Sequence, residues 1–142
     1  MAKKILKIVH VASEVHPFSK TGGLADVARS LPKALHRLGH EVMVITPLYG
    51  QVIDKKKHHL KEIGHDIKVK IDKDNVVKVN FWQGWLMQGL PIYFIENEKY
   101  FSRRKALYGS THEDARFLLF DIAALKLLMH IKFTPDIIQC HD

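Results

Sequence analysis

Between residues 5 and 46 the chain runs from an apolar segment, through a loop with two adjacent glycines, into an amphipathic segment and out to a second apolar one. That order leaves few folds open. "ILKIVHVA" (5–12) is β-rich and almost continuously apolar, as expected of a strand covered on both faces in a parallel sheet. "LADVARSLPKALHRL" (24–38) places Leu24, Val27, Ala28, Leu31, Leu35 and Leu38 at helical spacing, the stripe of a helix that faces a core. Pro32 is expected to kink that helix, because its ring removes a donor and crowds the carbonyl four residues back. Gly39 is placed to cap its end. "EVMVIT" (41–46) reads as the next strand, ended by Pro47. Strand, helix and strand at this spacing form a βαβ unit, whose crossover makes the two strands parallel.

The middle of the chain changes character. "HDIKVKI", "VVKVNFWQGWLMQG" and "LPIYFIE" read as three strands joined by Asp-Asn and Gln-Gly turns. They predict an antiparallel excursion from the parallel sheet or along its edge. Residues 113–131, "EDARFLLFDIAALKLLMHI", predict a long helix that is apolar over much of its surface. "TPDIIQCHD" then starts another strand. The expected fold class is α/β, Rossmann-like, with a mostly parallel sheet and one antiparallel β excursion, in a single domain spanning 1–142. A parallel strand normally leads into a loop and a covering helix, so the final strand either closes the fold or belongs to a longer protein. The second reading is favoured.

Composition narrows the function classes. The 142 residues suffice for one ordinary core, and 46% hydrophobic with 26% charged residues reads as a globular chain. No apolar run approaches the roughly 20 residues of a membrane span. The start, "MAKKILKIVHVASEV", superficially resembles a signal peptide, but His10, Ser13 and Glu14 interrupt it, so no targeting segment is read. One cysteine, Cys140, permits no internal disulfide, which fits a reducing cytoplasm. The net charge of +7 is spread out. Its densest part, residues 54–78, mixes eight lysines with five acids like solvated strands. Scattered cations suit a small anion such as a nucleotide diphosphate at least as well as a nucleic acid.

The loop "SEVHPFSKTGGLADV" (13–27) lies where open α/β sheets bind ligands, at the carboxyl end of a strand. Gly22 and Gly23 allow close backbone approach and positive φ. The helix start offers unpaired N–H groups and positive potential, and Lys20 adds a full charge, so the pattern is that of an anion site. Glu14 and Asp26 are placed to accept hydrogen bonds from sugar hydroxyls. Other readings stand beside these: a Gly-Gly turn with an exposed lysine is frequent in βα loops, and Asp26 equally suits a helix-dipole partner. Neither G-x-G-x-x-G nor G-x-x-x-x-G-K occurs. His141 and Asp142, at the end of the last strand, either face the first loop across a crevice or simply end a strand. The remaining histidines lack metal-ligand spacing, so no metal is expected. Cys140 is read as a buried strand residue.

Residues 12–50, from "ASEVHPFSKTGGLADV" to "TPLYG", closely resemble the N-terminus of the bacterial glycogen synthases and plant starch synthases, whose loop signature is K-T-G-G-L-x-D-V with Ala or Gly at x. "YFSRRKALYG" resembles their Y-F-x-R-x-x-L-Y-G segment, "ARFLLFDIAALKLL" their R-F-x-x-F helix, and "PDIIQCHD" their P-D-x-x-H-x-H-D-W strand end. The likeness covers essentially the whole chain. It implies a GT-B architecture of two Rossmann-like halves around a cleft, of which this chain is an incomplete N-terminal half. The implied activity is retaining transfer of glucose from ADP-glucose to the non-reducing end of an α-1,4-glucan, with no metal and no cofactor. The missing C-terminal half would hold most of the nucleotide, so the isolated chain is expected to be inactive.

Carried over by motif, Lys20 would contact the donor phosphates and Gly22 and Gly23 would bring backbone N–H groups close. Asp26 would face the sugar and acceptor side, and His141 would hydrogen-bond the transferred glucose. Two departures stand out: "HEDARF" replaces D-N-x-x-R-F, with Asp114 one possible counterpart, and Gln139 replaces the first His of the last motif. The alternatives are a related GT-B enzyme using UDP-glucose or sucrose chemistry, and a non-catalytic glucan- or nucleotide-binding module.

Overall fold

A computed structural model of the chain describes residues 2–104, 106–109 and 111–141. Strand β1 (Lys7–Val11), helix α1 (Gly23–Arg37) and strand β2 (Glu41–Pro47) come first. Strands β3 (Lys61–Lys70), β4 (Val76–Met87) and β5 (Leu90–Glu96) follow, then a single π-type turn at Glu98–Ser102, helix α2 (Glu113–His130) and strand β6 (Ile137–Cys140). The six strands form one sheet in the order β3-β4-β5-β2-β1-β6.

The βαβ unit forms as its pattern predicts. β1 pairs in parallel with β2 from Lys7↔Glu41 to Val11↔Ile45, and Val9, Val44 and Ile45 are fully buried. Helix α1 runs on through Pro32, whose ring is buried. It ends in a Schellman arrangement: Gly39, at φ +95°, donates to His36 O, and His40 donates to Leu35 O. The face it buries is narrower than its apolar stripe. Ala25, Ala28 and Pro32 are buried, whereas Val27, Leu31 and Leu38 are exposed. Small side chains let the helix backbone lie close to the sheet, and the longer ones point away from it.

The excursion is an edge meander. β4 pairs antiparallel with both β3 and β5, while β5 joins β2 in parallel and so returns the chain to the main sheet. Asp72 organises the β3–β4 turn by accepting from the N–H groups of Asp74 and Asn75, and Gly89, at φ +79°, turns the chain between β4 and β5. Two register shifts interrupt the free edge strand β3, and such bulges blunt an edge against further pairing.

Right-handed crossovers put α1, which steps from β1 to β2, and α2, which steps back from β5 to β6, on opposite faces of the sheet. The strand order therefore reverses between β1 and β6. α2 buries Leu119, Phe120, Ala123, Ala124, Leu127 and Leu128. β6 pairs with β1 alone, at the sheet's other edge, and all four of its residues are exposed. Cys140 is thus an exposed free thiol and not the buried strand residue its apolar context suggests, because β6 has no outer neighbour among the described residues. No helix among the described residues is long and apolar enough to cross a membrane.

Candidate functional site

The reversal between β1 and β6 marks the place where an α/β sheet opens a crevice at its strand ends. The loop leaving β1 reaches α1 there, and His141 follows β6. The His141 backbone N–H donates to Val11 O at 2.8 Å, which holds it against the end of β1. Asp142 lies outside the described residues.

The loop is tied down by its own sequence. The Phe18 and Ser19 N–H groups both donate to Val15 O at 2.9 Å, and Phe18 packs against Phe94 with ring centroids 5.1 Å apart. Its organiser is Glu14, which is 1% exposed. Oε2 accepts from the Thr21 N–H at 3.0 Å and the Thr21 hydroxyl at 2.6 Å; Oε1 accepts from the N–H groups of Gly22 and Ala25 at 3.2 Å. Glu14 therefore has its oxygens committed to the protein and is not the sugar-facing carboxylate its position in the loop suggests.

Gly22 and Gly23 also differ from expectation. Gly22 is extended, at φ −158°, and Gly23 opens the helix, so neither occupies the left-handed region. A Cβ at either would meet nothing within 4 Å. The fold does not require glycine at these two positions. What their absent side chains provide is bare backbone facing open space. The Gly22 N–H is taken by Glu14. The N–H groups of Gly23 and Leu24, which have no intrahelical acceptor, find none elsewhere among the described residues.

Lys20 and Asp26 are brought together. Nζ of Lys20 donates to both carboxylate oxygens at 2.9 and 2.8 Å, with each side chain about half exposed. The Lys20 hydrogen bonds hold the Asp26 carboxyl below the usual carboxylate range. The ammonium thus rests in the first turn of α1, beside its free N–H groups.

A groove of about 970 Å³ lies between α2 and the ends of β1 and β6, lined by Ser13, Tyr108, Phe117, Asp121 and His141 among others. His141 and Ser13 line this groove, whereas Lys20, Gly22, Gly23 and Asp26 are not in its lining. Tyr108 links the groove to the loop. Its hydroxyl lies 2.7 Å from Ser13 Oγ and donates to Glu14 Oε2 at 3.3 Å. Arg116, fully buried, donates to the Leu107 carbonyl at 2.5 Å and to Glu113 at 3.0 Å, fixing the chain just before Tyr108. The rings of Tyr49, Phe101 and Phe117, with centroids 5.2–5.4 Å from its guanidinium carbon, face the rest of that cation. Asp114, by contrast, is an exposed residue in the first turn of α2.

Sequence reasoning missed His10. It sits in β1, 1% exposed, with Nδ1 2.9 Å from Nε2 of His141. Burial, and then the neighbouring His141, push its pKa down to about 4; burial lowers His141 as well. The available signal was a lone polar side chain inside the apolar run "ILKIVHVA", which calls for a buried partner.

A Rossmann-like sheet with unpaired N–H groups at its first helix start and a histidine at its switch point has the layout of the ligand-binding α/β domains. A family model described as the starch synthase catalytic domain matches residues 7–142. Glycogen synthases of Geotalea uraniireducens and Syntrophotalea carbinolica are 42% and 44% identical, each over 96% of this chain and 28% of the relative. That of Moorella thermoacetica is 46% identical over 98% of this chain and 27% of its own length. The catalytic domain of Starch Synthase IV from Arabidopsis thaliana, bound to ADP and acarbose, superposes with a TM-score of 0.85 at 36% identity, covering 98% of this chain and 28% of that one. The chain belongs to the starch synthase catalytic-domain family, among the glycogen and starch synthase glycosyltransferases. Its sheet matches the N-terminal half of the GT-B fold, and it spans about 28% of the length of the curated relatives it matches.

Proposed function

We propose that this chain forms part of the N-terminal half of an enzyme that transfers glucose from ADP-glucose to the non-reducing end of an α-1,4-glucan with retention, in the cytoplasm. The observation that carries the reading is the start of α1. Two unpaired N–H groups, a glycine surface open to approach and the Lys20 ammonium lie together beside the switch point. Such a cluster suits the oxygens of a pyrophosphate. The relatives named glycogen synthase and the neighbour bound to ADP support the same ligand class.

In this reading Lys20 and the N–H groups of Gly23 and Leu24 stabilise charge as it builds on the leaving phosphate. Gly22 keeps the approach clear, Asp26 holds Lys20 until phosphate competes for it and faces the sugar and acceptor side, and His141 hydrogen-bonds the transferred glucose. Orientation and electrostatics carry the chemistry, with no metal in any step. Most nucleotide contacts belong to a C-terminal half, so residues 1–142 alone are inactive. The test is incorporation of labelled glucose into glycogen by the complete gene product that contains these residues, with ADP-glucose and UDP-glucose in parallel and residues 1–142 as a third arm. Transfer from ADP-glucose by the complete protein alone is expected. Transfer from UDP-glucose only would change the donor, and transfer from neither would leave a binding module.

Gly23→Ala separates fold from function. Alanine in the first helical turn is expected to stabilise by about 0.4–1 kcal/mol through the unfolded chain, since its Cβ meets nothing within 4 Å. The same methyl stands where a phosphate approaches, so transfer is expected to fall about tenfold or more, roughly 1.4 kcal/mol of barrier. Melting temperature and kcat/KM measured on one preparation check both halves. Full activity would mean that no ligand approaches that backbone.

A further inference from the structure

The transfer reading uses His141 but leaves unused the buried His10 ring packed against it. Their rings stack with centroids 5.2 Å apart, and Nδ1 of His10 lies 2.9 Å from Nε2 of His141, so one of these nitrogens carries the proton they share. The other His10 nitrogen, Nε2, is buried with no hydrogen-bond partner among the described residues. Only two neutral arrangements fit. If His10 carries its proton on Nε2, a buried N–H donor is left without an acceptor. If it carries the proton on Nδ1, only a lone pair is unpaired. An orphaned N–H is the rarer of the two in folded proteins. Burial disfavours a charged His10, consistent with a ring holding a single proton.

We infer that His10 is a positioning residue for His141: its Nδ1–H donates to Nε2 of His141, which fixes His141 in the Nδ1–H tautomer. His141 then presents a donor to the crevice. A ligand oxygen carrying a lone pair, on a sugar hydroxyl or a phosphate, is the group this donor accepts as a partner. The strands enforce the geometry, because His10 faces Gln139 in the parallel register and the His141 N–H is bound to Val11 O. Ring and backbone of His141 are therefore both held from β1, one by a side chain and the other by the main chain.

The kinetic part of this inference rests on His141 contacting the transferred sugar; the tautomer part does not. The experiment uses the complete gene product with 15N-labelled histidine, the His141 signals being assigned by their loss in His141→Gln. Long-range proton–nitrogen correlations report which ring nitrogen is protonated, and glucose transfer from ADP-glucose is measured on the same samples. In the unaltered protein His141 is expected to carry its proton on Nδ1. His10→Asn places an amide N–H near the position of Nδ1 and is expected to keep that tautomer and to retain kcat within about threefold. His10→Leu removes the donor. It is expected to put protons on Nε2 of His141 and to lower kcat about 10- to 100-fold, the usual effect of losing a partner that orients a site histidine, with KM for ADP-glucose little changed. A proton on Nε2 of His141 in the unaltered protein overturns the assignment. An unchanged tautomer in His10→Leu overturns the positioning role, and equal losses in both variants with that tautomer unchanged would make His10 a packing residue. If the unaltered protein transfers no glucose, the donor reading fails while the tautomer still decides the inference.

Discussion

Lys20→Ala in the complete gene product is expected to lower kcat for glucose transfer about 100- to 1,000-fold, the range seen when one preorganised group facing developing charge is removed. KM for ADP-glucose should change only a few-fold. The split follows from where charge appears. The ground-state pyrophosphate is already solvated and held by other contacts, whereas the leaving phosphate gains charge as the glycosidic bond breaks, and a cation beside it acts most at that moment. The melting temperature is expected to stay put, because the Lys20–Asp26 pair is about half exposed and solvent screens it. Lys20→Arg should recover part of kcat, since it restores charge while spreading it over a planar fork. A raised KM with normal kcat would reduce Lys20 to a binding contact.

Glu14→Ala is the second large effect, and it acts first on the fold. The substitution removes the acceptor for the N–H groups of Thr21, Gly22 and Ala25 and for the Thr21 hydroxyl together. Thr21 and Gly22 are exposed and turn to water, while Ala25 is buried and its N–H is left bare. One unsatisfied buried donor plus the lost charge-assisted bonds gives an expected destabilisation of about 2–4 kcal/mol. Glu14→Gln keeps one acceptor oxygen but turns an amide N–H₂ toward other donors, so a smaller loss is expected. In both variants the start of α1 loses its anchor and kcat falls with it. Calorimetric melting of the two variants beside the unaltered protein decides the matter. A Glu14→Ala protein that melts and turns over like the original would mean that Val15, Phe18 and Ser19 order the loop by themselves.

These two residues also mark how far the sequence could be read. The βαβ unit, the edge meander and α2 were legible from local pattern: a buried run in β1 and β2, the turn pairs Asp74-Asn75 and Gln88-Gly89, and an apolar helix from Glu113. The buried face of α1 was not, since periodicity reports which side chains are apolar and not which neighbour covers them. The sheet admits Ala25 and Ala28 and leaves Val27, Leu31 and Leu38 outside. Cys140 was misread for the same reason at the sheet edge. In the site, Lys20 and the glycines were legible from residue type and position after a strand. Glu14 was read as facing a sugar because a charge pattern cannot show that its targets are backbone N–H groups. His10 and Arg116 act through partners 131 and nine residues away, the Leu107 carbonyl among them, which only the folded chain brings close.

The central claim is that the start of α1 is a donor-phosphate site at the β1–β6 switch point. It is tested most directly by a crystal structure of the complete gene product with ADP. Phosphate oxygens are expected within hydrogen-bond distance of Lys20 Nζ and of the Gly23 or Leu24 N–H, with Lys20 drawn off or shared from Asp26. ADP bound with its phosphates elsewhere, and Lys20 still seated on both oxygens of Asp26, would contradict the claim.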